Sequence, residues 1–101
     1  MKAMVLKQIS PIEKEPLVMV DLPVPVPGPR EILVKVAACG VCHTELDEIE
    51  GRIQPQLPIV LGHEIVGRVE RLGSEARKFN FGDRVGIALI NSSCGNCQLC
   101  K

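Results

Sequence analysis

Glu31-Ile32-Leu33-Val34-Lys35-Val36-Ala37-Ala38, residues 31–38, decides the fold class of this chain. Ile32, Val34 and Val36 alternate with Leu33 and Lys35, and β-branched residues at a period of two read as a strand. Immediately before it stand Pro23, Pro25, Pro27, Gly28 and Pro29, a run that fits neither a helix nor a central strand. Pro27-Gly28 marks the turn into the strand. Working outward to the N-terminus, Met1–Ile9 alternates in part and reads as a first strand, and Leu17–Leu22 as a second. Ser10, Pro11 and the charged stretch through Pro16 separate them. Outward to the C-terminus, Pro55 and Pro58 break the chain before Ile65–Leu72, where Ile65, Val66 and Val69 interleave with Arg68, Glu70 and Arg71. Gly73-Ser74 ends that strand, and Phe81-Gly82-Asp83 turns into a further one at Val85–Ile90.

One short helix is expected over Thr44–Glu50. Thr44 can cap its start, Glu45, Asp47 and Glu48 sit early where the helix dipole favours anions, and Gly51 can end it. Leu46 and Ile49 mark its apolar face. Short strands, one helix and frequent Pro and Gly turns predict a mainly β, barrel-like architecture. No strand–helix–strand alternation and no G-x-G-x-x-G run are present, so this sequence carries no dinucleotide-binding fingerprint.

The chain has 101 residues, 46% hydrophobic and 24% charged, a globular composition that excludes disorder and collagen-like repeats. Twelve basic residues balance twelve acidic ones and the aromatics are Phe79 and Phe81 alone. Neither an electrostatic footprint for nucleic acid or membrane surfaces nor a base-stacking platform exists. No apolar run approaches the roughly 20 residues that cross a bilayer, and the Lys2–Lys7 segment is too short for a signal-peptide core. A cytoplasmic location is expected, where structural disulfides are disfavoured. The cysteines Cys39, Cys42, Cys94, Cys97 and Cys100 are then read first as metal ligands.

Cys94-Gly95-Asn96-Cys97-Gln98-Leu99-Cys100 is the most specific signal. Thiolates two residues apart converge on one ion because the intervening turn folds their sulfurs to one side. A closed zinc site needs a fourth ligand, and only Lys101 follows, so the chain is expected to be cut short. An iron–sulfur cluster is the main rival reading. Unligated loop cysteines remain open, and a redox pair lacks its βαβ context.

A second constellation is split between Cys39-Gly40-Val41-Cys42-His43-Thr44-Glu45 and Gly62-His63-Glu64. Histidines are more often ordinary surface or capping residues than ligands, but both histidines of this chain fall in these two segments, beside a thiol or a carboxylate. A thiol at a helix start, as at Cys42, is acidified, which suits metal binding. Cys39 is read as a small buried apolar residue.

Gly40-Val41-Cys42-His43-Thr44, Gly62-His63-Glu64, Phe81-Gly82-Asp83-Arg84-Val85 and Cys94-x2-Cys97-x2-Cys100 together resemble the zinc-dependent medium-chain alcohol dehydrogenases. The resemblance covers nearly all of residues 1–101. It implies the N-terminal part of a GroES-like catalytic domain, a partly open β-barrel. Cys42 and His63 would be catalytic zinc ligands, and Glu64 a catalytic outer partner or transient ligand of that zinc. Thr44 would begin the proton relay from the alcohol, and His43 would approach the cofactor pyrophosphate. Cys94, Cys97 and Cys100 would hold a separate structural zinc.

The resemblance further implies a parent enzyme that oxidises small alcohols to aldehydes or ketones with NAD or NADP, and a homo-oligomer. The third catalytic ligand, the fourth structural cysteine and the nucleotide-binding Rossmann domain fall outside this sequence, so the chain alone is expected to be inactive. Glu45 stands where the family more often has aspartate, and Asp47 where some members have a relay histidine. Two alternatives stay open: a stand-alone zinc-stabilised β-domain with a structural or binding role, and a polyol or threonine dehydrogenase of the same family.

Overall fold

The computed structural model describes residues 1–90 and 92–100. In chain order it contains β1 (Lys2–Leu6), a single 3-10 turn (Ile12–Lys14), β2 (Leu17–Asp21), β3 (Ile32–Cys39), α1 (His43–Glu50), β4 (Ile59–Val60), β5 (Ile65–Leu72) and β6 (Arg84–Ile87). The fold is mainly β with one short helix, as the strand and turn signals predict. The strands form two three-stranded antiparallel sheets, ordered β2-β1-β4 and β3-β5-β6. The barrel is not closed.

Leu6 pairs with both Leu17 and Ile59. It is fully buried, and among the described residues Val5, Ile49 and Val69 complete the buried apolar core. Burying a side chain of this size contributes about 1.5–3 kcal/mol, so this small core carries limited stability. The proline-rich stretch leads into β3, whose partner β5 runs back along it from Ile32 opposite Leu72 to Cys39 opposite Ile65. Register shifts at Leu33/Val34 and Val36/Ala38 bend this pair. Gly67 lies across the second bend, where a Cβ would stand 2.7 Å from Val34 Cγ1.

The β3–β5 pairing brings the two split segments together. Cys39 ends β3 opposite Ile65, and the Gly40 amide donates to the Glu64 carbonyl at 2.8 Å. Cys42 and His63 therefore leave the same end of one strand pair.

Several boundaries differ from the sequence expectation. β1 stops at Leu6 rather than Ile9, because the chain turns to place the Ser10 amide on the Ile49 carbonyl at 3.0 Å. β6 covers Arg84–Ile87, not Val85–Ile90, and it ends where its pairing with Ile65 of β5 ends. β4 and the 3-10 turn were not expected. Each is too short for a periodic pattern.

The helix starts one residue earlier than expected, and Thr44 does not cap it. Cys42 is the N-cap, with extended backbone, and its amide donates to Glu45 Oε2 at 2.5 Å. Of the three acidic residues expected in the first turn, only Glu45 lies there. Gly51 ends the helix at φ 85°, the left-handed conformation that favours glycine.

Candidate metal centre

Cys42 and His63 meet beyond the end of the β3–β5 pair. One donor atom each from Cys42, His63 and Glu64 lie within 4.8 Å of one another. Gly62 makes the approach: its φ is 127°, and a Cβ there would stand 2.6 Å from Cys39 Sγ. Any other residue would be strained and would collide with that thiol.

Around this cluster the electrostatics favour a thiolate. Thr44 Oγ1 lies 3.5 Å from Cys42 Sγ. The Thr44 hydroxyl and then its amide, followed by the His63 imidazole, hold the Cys42 thiol below its ordinary value, against the opposing effects of burial and Glu64. The hydrogen bond to Cys42 raises the His63 imidazole above its ordinary value, with burial opposing and Glu45 adding to the rise. Both shifts run towards the charged forms, thiolate and imidazolium.

Glu45, placed by the sequence reading early in the helix at a position where the family more often has aspartate, reaches both donors. It is 9% exposed, the one buried charged residue among those described. Its Oε2 accepts from the Cys42 amide. Its Oε1 is buried and makes no hydrogen bond of good geometry, but stands 2.9 Å from His63 Nδ1. One carboxylate thus braces the backbone of one donor and the ring of the other. The S/T-x-x-E form of the capping box was hidden here because cysteine holds the cap position.

The other expected site residues are placed as follows. His43 is exposed, and its Nδ1 lies 3.2 Å from Asp47 Oδ2. Arg52 joins this surface group through Asp47 Oδ1 at 2.6 Å and Glu50 Oε1 at 2.8 Å. Cys39 is exposed, not buried as expected, with Sγ turned towards Gly62 and 3.6 Å from its neighbour's carbonyl, that of Gly40. It ends a strand at an unclosed sheet margin, where no further layer covers it.

Cys94, Cys97 and Cys100 form a separate group, again with sulfurs within 4.8 Å of one another, and all three are exposed. Cys94 Sγ lies 3.7 Å from Cys100 Sγ, and Cys97 Sγ lies 3.4 Å from it. Amides of Asn96 and Cys97 donate to Cys94 Sγ at 3.5 and 3.3 Å. These donors, helped by the neighbouring thiols, lower Cys94 to about 7. Cys100 is also lowered, first by the Gly95 backbone and then by Cys97.

Both donor sets fit zinc. Tetrahedral zinc at about 2.3 Å from sulfur spans sulfur–sulfur edges of about 3.8 Å, close to the edges of the three-thiol group. The Cys42–His63–Glu64 set offers one thiol, one imidazole and one carboxylate, each a side-chain type that binds zinc. Its imidazole is braced on Nδ1 by a carboxylate, the usual outer partner of a metal-binding histidine.

Residues 28–101 match the family model described as "Alcohol dehydrogenase GroES-like domain". The chain belongs to that family. This GroES-like domain is 44% identical over 89 residues to an alcohol dehydrogenase of Rhizobium meliloti (strain 1021), covering 86% of the chain and 26% of that relative. It is 41% identical over 102 residues to an alcohol dehydrogenase of Geobacillus stearothermophilus, covering 99% of the chain and 29% of that relative. The crystal structure of an NAD-dependent alcohol dehydrogenase superposes with a TM-score of 0.84 at 36% identity, over 99% of this chain and 29% of the other. The GroES-like domain described here therefore spans between a quarter and a third of the length of these relatives. Among the described residues, no helix is long and apolar enough to cross a membrane.

Proposed function

We propose that this chain is the N-terminal part of the catalytic domain of a zinc-dependent, cytoplasmic alcohol dehydrogenase. The observation that carries the reading is the convergence of Cys42, His63 and Glu64, from segments on either side of β4, within 4.8 Å. Cys42 and His63 would hold a reactive zinc, with Glu64 in reach as a further or transient donor. Cys94, Cys97 and Cys100 would hold a second zinc whose role is structural. When bound, zinc supplies a Lewis acid that acidifies the alcohol hydroxyl, and NAD or NADP supplies the hydride acceptor, so that alcohol is converted to aldehyde or ketone, reduced cofactor and one proton.

The chain's own residues position and deprotonate the substrate. Cys42 and His63 would hold the zinc at the N-terminal end of α1, and the zinc would bind the reacting oxygen there. Thr44 Oγ1, 3.5 Å from Cys42 Sγ, takes the hydroxyl proton and passes it towards solvent. Glu45 keeps the ring of His63 in one orientation through Nδ1, leaving Nε2 for the metal. His43, exposed one residue after the cap, would meet an anionic group of the cofactor.

The test is carried out on the full-length parent of this chain. Zinc-dependent alcohol oxidation is expected, with kcat lowered about 100-fold or more by Thr44→Val, the usual range for a lost proton-transfer group. Robust alcohol-dependent NAD reduction by residues 1–101 alone, or parent activity that survives zinc removal, contradicts the reading.

A further inference from the structure

The three thiols of the 94–100 loop are exposed and close together, yet they are not equivalent. A cavity of about 350 Å³ carries Cys94 in its wall together with Arg30, Arg77 and Lys78, and Glu75 is the carboxylate facing them. Cys97 and Cys100 are not part of that wall. Among the described residues the three cations form no ion pair, so their charge acts on the cavity. Cys94 Sγ also accepts from the amides of Asn96 and Cys97. Cations and amide donors favour the thiolate, the form that attacks an electrophile, and the cavity gives a small oxidant a path to this sulfur.

A second thiol stands ready. Cys100 Sγ lies 3.7 Å from Cys94 Sγ, and a disulfide needs about 2.05 Å, a short movement within one exposed loop. The cluster at Cys42 is different, because it holds a single thiol among its three donors. Oxidation there has no resolving partner inside the cluster.

We propose that the 94–100 loop is an oxidation site for hydrogen peroxide, with Cys94 as the attacking sulfur and Cys100 as the resolving one. The Cys94 thiolate attacks one peroxide oxygen, the O–O bond breaks, and hydroxide leaves and takes a proton from solvent to become water. Cys94 then carries a sulfenic acid. Cys100 sulfur attacks Cys94 sulfur, the S–S bond forms and the S–O bond breaks. The departing hydroxide takes the Cys100 proton as a second water. Two thiols are oxidised to one disulfide and one peroxide is reduced to water. The link removes two of the loop's three thiolate donors, so its zinc would be released. The disulfide rests on the loop and cavity geometry, whereas the zinc loss rests on the zinc reading above.

The experiment exposes the zinc-loaded full-length parent, freed of reductant, to hydrogen peroxide. Peptide mass spectrometry locates the modification and a chromogenic chelator follows released zinc. The expected first product is a Cys94–Cys100 link, formed before any oxidation of Cys42, with about one zinc lost per subunit. Dithiothreitol and fresh zinc should reverse both. The double variant Arg77→Ala/Lys78→Ala, which leaves every donor in place, should slow the link about three- to tenfold at unchanged zinc content. A first product joining Cys97 to Cys100, oxidation of Cys42 ahead of the loop, or a rate that the double variant leaves unchanged overturns the proposal. A Cys94–Cys100 link that forms with no zinc lost supports the oxidation site and defeats the zinc reading of the loop.

Discussion

The two donor clusters are built in opposite ways. Cys42 and His63 are joined by the β3–β5 pairing, are partly shielded from solvent, and share Glu45 as a brace. Cys94, Cys97 and Cys100 come from one short loop, are exposed, and draw their hydrogen bonds from amides and thiols of that same loop. The fold makes the first cluster before any metal arrives. In the second, local turn chemistry gathers the thiols, and a bound metal would have to supply most of the rigidity.

The largest effect that follows from this contrast is at His63. His63→Ala should weaken metal uptake at the first cluster by more than about 100-fold, beyond the range seen for outer partners, while the three-thiol loop keeps its ion. Competitive chelator titration of the variant and the wild type, read at each cluster, measures it. Equal loss at both clusters would show that they are not independent.

Glu45→Ala comes next. It removes the brace from both donors at once, so affinity at the first cluster should fall about 10–100-fold, with no change at the loop, which has no corresponding residue. An affinity unchanged within error would mean that Glu45 serves the helix cap alone.

The loop should in turn show its own pH signature. Cys94 sits at about 7 rather than its ordinary 9.0, so its thiolate grows as pH rises through 7 and is lost below it. Alkylation of Cys94 by iodoacetamide in the metal-free chain should rise steeply between pH 6 and 8 and then level off (about half-maximal near pH 7). Zinc uptake by the loop should weaken over the same window as pH falls, because protons compete for the sulfurs. A rate that climbs only towards pH 9 would contradict the amide donation to Cys94.

The smallest effect is expected at Asp47→Asn. It breaks the exposed His43–Asp47–Arg52 group, and solvent-exposed pairs of this kind contribute little. Metal affinity at both clusters should be unchanged, and so should the thermal unfolding midpoint. A loss of affinity would tie this surface group to the first cluster.

Both clusters were legible in the sequence, for different reasons. The loop was readable because its spacing is local. Cys42 and His63 were joined only through the family resemblance, since nothing in the spacing of residues 42 and 63 says that they meet. The main strands were visible as alternation, and Gly51 as a helix stop. Glu45 was not legible as a brace, because its role depends on the register that brings Glu64 to Gly40. Thr44 looked like the cap because its hydroxyl is the better capping group. The structure gives that position to Cys42 and leaves the Thr44 hydroxyl beside the thiol. Cys39 looked buried because cysteine usually is, and only the open sheet margin shows otherwise.

The most direct test is nitrogen-15 NMR of the imidazoles as zinc is added to a chain whose Cys94, Cys97 and Cys100 are replaced by serine. The account predicts that His63 Nε2 shifts to a metal-bound position while Nδ1 stays protonated against Glu45, and that Cys42→Ser abolishes the shift. His63 resonances that ignore zinc, or that respond equally well without Cys42, would contradict it.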